Sequence, residues 1–175
     1  MDNAAPRAID LVNTFRLDRG EVGDVLADDL RDWLGPVPDA VVERFRELRD
    51  ALRRLAAETV SDDRPAATSP VDLAAAVAVL NRACASAPAW SELTWSATPT
   101  RTVNRAPHGP DLVLAQVSED AVDLFTGPQR GDLRACHGPS CVRYFLRDHP
   151  RREWCSSGCG NRARVARHYQ RHHGD

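Results

Sequence analysis

The sequence predicts a mainly α, α+β protein: a helical N-terminal domain carrying a small β-hairpin, then a short C-terminal finger made of a knuckle and a helix. Three observations predict this. Several segments repeat apolar residues every three to four positions. One stretch, "SELTWSATPTRTVNR", breaks that period with β-branched and aromatic residues around Pro99. Four of the five cysteines fall within the last forty residues. The 175-residue length suits one ordinary domain plus a small one, and the division falls at residues 1–129 and 130–175.

The segment "PRAIDLVNTF" reads as a helix with Ile9, Val12 and Phe15 near one face, followed by a Gly- and Asp-rich turn. "DVLADDLRDWLG" reads as a short helix with Val25, Leu26, Leu30, Trp33 and Leu34 inward, stopped at Gly35-Pro36. The clearest element is "PDAVVERFRELRDALRRLAAETV". Val41, Phe45, Leu48, Leu52 and Leu55 recur at helical spacing, with Asp39 placed to cap it after Pro38. "SDDRPAATSP" is a loop by composition. "VDLAAAVAVLNRACASA" is a helix whose alanines suit close packing, with Cys84 a small buried residue. After the hairpin, "DLVLAQVSEDAVDLFTG" returns to helix, with Leu114, Val117, Ala121, Leu124 and Phe125 inward. Trp33, Trp90 and Trp95 are assigned to the core.

The charge divides unevenly. The net formal charge is -2, yet residues 1–129 carry 13 Arg against 21 acids and residues 130–175 carry 10 Arg against 4 acids. Opposite signs suggest two jobs. The 42% apolar content is ordinary for a globular chain, and no apolar run reaches the roughly 18 residues of a membrane span. The N-terminal residues lack the basic-then-apolar pattern of a signal peptide, so a cytoplasmic location is expected.

Cys136, Cys141, Cys155 and Cys159 form the pattern C-x4-C-x13-C-x3-C. Two close pairs, each with turn residues inside, aim four sulfurs at one point, as a tetrahedral Zn²⁺ site requires. Two disulfides, a redox dithiol and an iron–sulfur cluster are the alternatives. The missing secretory signal argues against the first, and spacings other than C-x-x-C argue against the second. The helical, Arg-rich context suits a structural site better than a cluster. A site closed by four thiolates leaves no open position for a catalytic water.

Residues 160–171 placed on a helix put Arg164, Arg167, His168 and Arg171 on one basic face about 100° wide. Val165, Ala166, Tyr169 and Arg162 fall on the other side, expected to pack on the knuckle. Arg162 therefore suits a structural role or a DNA contact equally. Loop arginines Arg143, Arg147, Arg151 and Arg152 add positive charge nearby. A basic face held at a metal site points to nucleic acid. The competing reading is an interaction module whose basic finger docks on acidic protein. An enzyme has little support, because no G-x-S-x-G, H-E-x-x-H, P-loop or Rossmann glycine pattern occurs. Asn13 and Thr14 interrupt an apolar helix. Such a pair satisfies neighbouring backbone or contacts a ligand, and both readings stay open here.

The segment "CHGPSCVRYFLRDHPRREWCSSGCGNRARVARHYQRHH" resembles the CGNR zinc finger, through Cys136 and Cys141, Tyr144-Phe145, Arg151-Arg152, Trp154-Cys155-Ser156 and Cys159-Gly160-Asn161-Arg162. The Asp that commonly follows the Phe in that module is displaced here to Asp148. "DLVNTF", "LRDWL", "LRDALRRL" and "LNRA", in that order, resemble ABATE, a family of stress-induced transcription regulators. The resemblance implies a bacterial, zinc-binding transcription regulator. Cys136, Cys141, Cys155 and Cys159 would hold one structural Zn²⁺. Arg151, Arg152, Arg162, Arg164, Arg167, His168 and Arg171 would meet DNA. The N-terminal domain would sense a small-molecule effector, with Asn13 and Thr14 as candidate contacts, or form a homodimer. No membrane partner and no catalysis are expected.

Overall fold

The computed structural model describes residues 7–18, 21–64, 69–105 and 109–173. The elements run α1 (Ala8–Val12), β1 (Phe15–Asp18), β2 (Glu21–Asp24), α2 (Leu26–Leu34), α3 (Asp39–Val60), α4 (Leu73–Cys84), β3 (Ala89–Thr94), β4 (Thr100–Arg105), α5 (Pro110–Thr126), β5 (Leu133–Ala135), β6 (Tyr144–Leu146) and α6 (Ser157–His173). Helices dominate, and the strands form three separate antiparallel pairs, β1–β2, β3–β4 and β5–β6.

The long helix α3 is the spine. Its stripe of Phe45, Leu48 and Leu52 is buried, as its period predicts, and meets Leu11 of α1, Leu26 and Leu30 of α2, Leu80 of α4 and Val117 of α5. Asp39 is the first helical residue rather than the cap. Pro38 precedes it with extended backbone and no side chain caps the end, so the Asp39 carboxylate contributes through the positive helix terminus instead. At the far end Ser61 takes a left-handed conformation (φ 53°) and the Asp62 amide donates to the Ala57 carbonyl at 2.9 Å, which turns the chain back beneath the helix.

Other expectations need correction or sharpening. The first helix stops at Val12 and does not reach Phe15. The Thr14 hydroxyl donates to the Leu11 carbonyl at 2.8 Å, and the chain passes into β1, with Phe15 opposite Asp24. Thr14 competes locally for helix hydrogen bonds, which ends so short a helix. The Gly- and Asp-rich segment is thus part of a hairpin rather than only a turn. The alanines of α4 pack on one side only: Ala76, Leu80 and Ala83 are buried while Leu73 and Val77 are exposed. Of the tryptophans, Trp33 does pack against the core, but Trp90 and Trp95 stand in solvent on and beside β3, 52% and 79% exposed.

The pair β5–β6 joins the two ends of the chain. Ala135 lies opposite Tyr144 and Leu133 opposite Leu146. Leu133, Ala135 and Tyr144 are buried in the same core as α1, α3 and α5. Strand alternation turns the intervening Phe145 to the other side, where it packs with Cys136, Cys141 and Cys159. One small hairpin therefore serves two cores.

Polar groups complete this seam. The Asn13 amide donates to the Tyr144 carbonyl at 2.8 Å, and its oxygen accepts from the Tyr144 amide at 3.0 Å, so a side chain from the N-terminal segment pairs with β6 as a strand would. Arg53 of α3 is 3% exposed. Its guanidinium donates to the carbonyls of Val12 (2.9 Å) and Val142 (3.0 Å) and lies over the rings of Phe15 and Tyr144. Burial pushes its pKa down, though an arginine stays charged. Arg49, one turn earlier and also buried, donates to Asp24 at 2.6 Å.

Arg53→Met keeps most of the volume but leaves two carbonyls facing an apolar side chain. At about 1–3 kcal/mol for each unpaired group, the variant is expected to lose about 2–6 kcal/mol by urea denaturation. A change below about 0.5 kcal/mol would mean that the seam does not depend on Arg53.

Candidate metal centre and basic helix

Each cysteine pair is held by its own turn. After β5, the Cys136 amide donates to the Arg143 carbonyl at 2.9 Å, extending the ladder by one step. The loop between them folds back, with the Cys141 amide donating to Gly138 at 2.9 Å and Ser140 in the left-handed region at φ 59°. Gly138 lets the loop approach the cluster closely: a Cβ there would stand 3.0 Å from the Cys159 Cβ and 3.4 Å from its sulfur, so one of them would have to shift by a few tenths of an ångström. On the other side, the Ser156 hydroxyl accepts from the Cys159 amide at 3.2 Å and caps α6. Cys159 then sits in the first turn of that helix.

The four sulfurs lie within 4.8 Å of one another. Cys141 and Cys155 are 3.7 Å apart and Cys155 and Cys159 3.4 Å. Zinc–sulfur bonds of about 2.3 Å at tetrahedral angles place sulfurs about 3.8 Å apart, so the donor set fits one Zn²⁺. Cys136, Cys141 and Cys159 are buried and Cys155 is partly exposed. With four thiolate donors the site is a closed, structural one. Without metal, the thiols of Cys136, Cys141 and Cys155 hydrogen-bond to one another. Hydrogen bonds from Cys141 and Cys155 hold Cys136 far below an ordinary thiol, the bond to Cys136 pushes Cys141 up to about 11, and Cys155 is raised further. Zinc binding must displace those protons, so acid competes with the metal.

Around the ligands stands a shell of donors. The Cys155 amide points at the Cys136 sulfur at 3.4 Å and Arg162 donates to the Cys159 sulfur at 3.0 Å. Arg152 donates to the carbonyls of Trp154 and Cys155, pairs with Asp148 at 2.8 Å and lies over the Phe145 ring. Asp148, displaced from its place after the Phe, therefore still serves the loop by holding Arg152.

A second clasp was not foreseen from the sequence. Arg64 donates to the carbonyls of both Cys136 (2.9 Å) and Cys141 (2.8 Å), and makes a two-pronged pair with the buried Asp62. The Tyr144 hydroxyl donates to the same carboxylate at 3.0 Å. Burial works to raise the Asp62 pKa, but the bonds from Arg64 and Tyr144 outweigh it and hold it below the usual carboxylate range. The end of α3, the hairpin and the metal loop are thereby tied in one chain of contacts. The available signal was Arg49 and Arg53, four residues apart on the buried stripe of α3. Arg64 itself gave none.

The residues of the basic helix divide. Gly160 and Ala163 are buried at the knuckle, and Gly160 approaches Trp154 so closely that a Cβ would stand 3.0 Å from its ring. Beyond that first turn the helix runs clear. Val165 and Tyr169, expected to pack inward, are exposed, because the small knuckle reaches only one turn along the helix. Arg164, Arg167, His168 and Arg171 are exposed. Arg167 and Arg171 each reach back to a helix carbonyl four residues earlier, and among the described residues no carboxylate pairs with Arg164, Arg167 or Arg171. Arg151 is exposed beside the loop. The side chains of Asn13 and Thr14 are committed internally, the first to Tyr144 and the second, fully buried, to Leu11.

Residues 5–128 match the family model of ABATE, described as a "putative stress-induced transcription regulator", and residues 133–172 match that of the CGNR zinc finger. The first match spans well over half of the chain, and the chain belongs to the ABATE family and carries a C-terminal CGNR zinc finger. Neither description is that of an enzyme. No curated protein matches the sequence. Among the described residues no helix is long and apolar enough to cross a membrane.

Because β5–β6 shares the main core, zinc removal is expected to destabilise the N-terminal helices too. Chelation at neutral pH should cost about 4 kcal/mol or more, lowering Tm by about 10 °C or more for a chain of this size. Far-UV and tryptophan signals should shift together. A finger that melts alone while the helical signal holds its Tm would contradict the shared core. Lowering the pH should release zinc, since protonated thiols do not ligate.

Proposed function

We propose that this ABATE-family chain is a cytoplasmic, non-enzymatic transcription regulator that contacts DNA through the exposed basic face of α6. The observation that carries this reading is a run of arginines without a carboxylate partner among the described residues, on a helix whose first turn holds a ligand of the metal site. Arg164, Arg167 and Arg171, with His168 and Arg151 beside them, meet phosphates or base edges. Arg152 and Arg162 act behind them, fixing the knuckle that aims the helix. Zinc supplies no chemistry beyond folding. The N-terminal domain receives a small-molecule effector, and two copies act together, because one helix buries little surface for specific binding.

Fluorescence anisotropy of the zinc-loaded protein against mixed duplex DNA at about 50 and about 200 mM salt tests the reading, and binding should weaken steeply across that range. The triple variant Arg164→Ala, Arg167→Ala, Arg171→Ala should bind at least about tenfold more weakly at low salt. Its salt slope should flatten by about one for each phosphate that an arginine no longer neutralises. Zinc-loaded protein that binds DNA at neither salt would move the reading to the alternative, a zinc-stabilised module that docks its basic helix on acidic protein.

A further inference from the structure

The hairpin β3–β4 has no cover. Every residue of β3 is exposed and so are the first four of β4. The two strands pair with each other and with no third strand among the described residues. Its base is firmly set, since Arg105 makes a two-pronged pair with Glu119 of α5 at 2.9 and 2.5 Å. A lone two-stranded hairpin is marginal in water, and this one is poorly suited to solvent. Trp90, Leu93 and Val103 are 52%, 65% and 54% exposed, and Trp95 at the tip is the most exposed of all. The polar side chains between them are paired with each other across the strands, Arg101 with Ser91 at 2.9 Å and Asn104 with Glu92 at 2.5 Å. Besides the threonines, what stands in solvent without cover is apolar, with two tryptophans among it, which suits an interface centre better than a solvated arm.

The same chain exposes a matching surface. Helix α4 carries no charged residue from Leu73 to Asn81, and it turns Leu73, Ala74, Val77 and Ala78 outward. A surface helix normally sets charge on its outer face. Large aromatic side chains on the arm and a small-residue apolar floor on the helix are complementary in size. Strand alternation puts Trp90 on one face of the arm and Leu93 and Val103 on the other, so one flat partner does not cover it.

We propose that β3–β4 is a dimerisation arm that packs its tryptophans on α4 of a second copy of this chain. A two-fold arrangement satisfies both surfaces at once, because each copy gives an arm and receives one, and the interface closes without leaving an open end. The two-fold partner also brings its own arm, which supplies cover for the second face. This gives a surface to the homodimer of the proposed function. It does not depend on DNA contact, so the two readings fail separately.

Sedimentation velocity of the zinc-loaded full chain, without DNA, tests the arm. Wild type should be a dimer at micromolar concentration, equally at about 0.1 and about 1 M NaCl, because an apolar interface is not screened. Trp90→Ser with Trp95→Ser should raise the dissociation constant at least about 30-fold, as truncating aromatic anchors at an interface centre does. Both residues are outside the core, so circular dichroism and zinc content should be unchanged. Val77→Glu, on the other half of the interface, should have a comparable effect. Three results would overturn the proposal. A monomeric wild type would assign the arm to a different protein. A dimer that dissociates in salt would place the interface between the basic finger and the acidic domain. A dimer indifferent to all three substitutions would be built elsewhere.

Discussion

Two three-residue strands cannot stand alone in water, yet the finger of this protein is organised around such a pair. The pair holds because neither face is left open. Tyr144 fills the helical core from one side, while Phe145 backs the cysteine cluster from the other. The metal centre and the helical domain therefore depend on the same six residues. Anything that loosens the sulfurs frees the strand that closes the main core, and anything that opens the core removes the wall behind the sulfurs. The direction of α6 relative to the N-terminal helices follows from this. Its first turn carries Cys159, Cys159 is fixed to the knuckle, and the knuckle is fixed to α1 and α3 through Asn13, Arg53 and Arg64.

Buried charge is an expensive way to hold a seam, since desolvating a guanidinium costs several kcal/mol before any partner is met. Arginine suits the task because its planar fork can face two carbonyls at once and lie flat on aromatic rings. Arg53 does both, bridging Val12 and Val142 between Phe15 and Tyr144. Arg64 repeats the device at the metal loop, with Asp62 supplying the countercharge. In each case the accepting carbonyls belong to a loop or to the end of a short element, where the backbone has too few partners of its own.

What the sequence made legible was whatever is local. The spine of α3, the period break at β3–β4 and the four cysteines depend on spacing along the chain. The knuckle and its metal follow from a motif that fits within about forty residues, and the structure puts all four sulfurs together. Long-range pairings were hidden. Nothing near Asn13 announces that it will pair with a strand 131 positions away, and three-residue strands are too short for alternation to register. The tryptophans of the arm were misplaced for a physical reason: a large aromatic residue is usually buried within its own domain, and sequence does not distinguish that core from a surface left for a second molecule.

Counting arginines likewise says little until their partners are known. The finger holds 10 Arg against 4 acids, but those charges are not equally available. Arg147 pairs with Asp132 and Arg152 with Asp148, while Arg162 is spent on a cysteine sulfur. Four thiolates around Zn²⁺ carry a net -2 that offsets further charge close to the knuckle. The potential is thus weakest where the chain is most tightly tied and strongest on α6 beyond its first turn, where no acidic residue occurs through to His173. This separation is what a rigidly mounted electrostatic surface needs. The charges that build the mount are neutralised within it, and those that extend past it remain for whatever anion the helix meets.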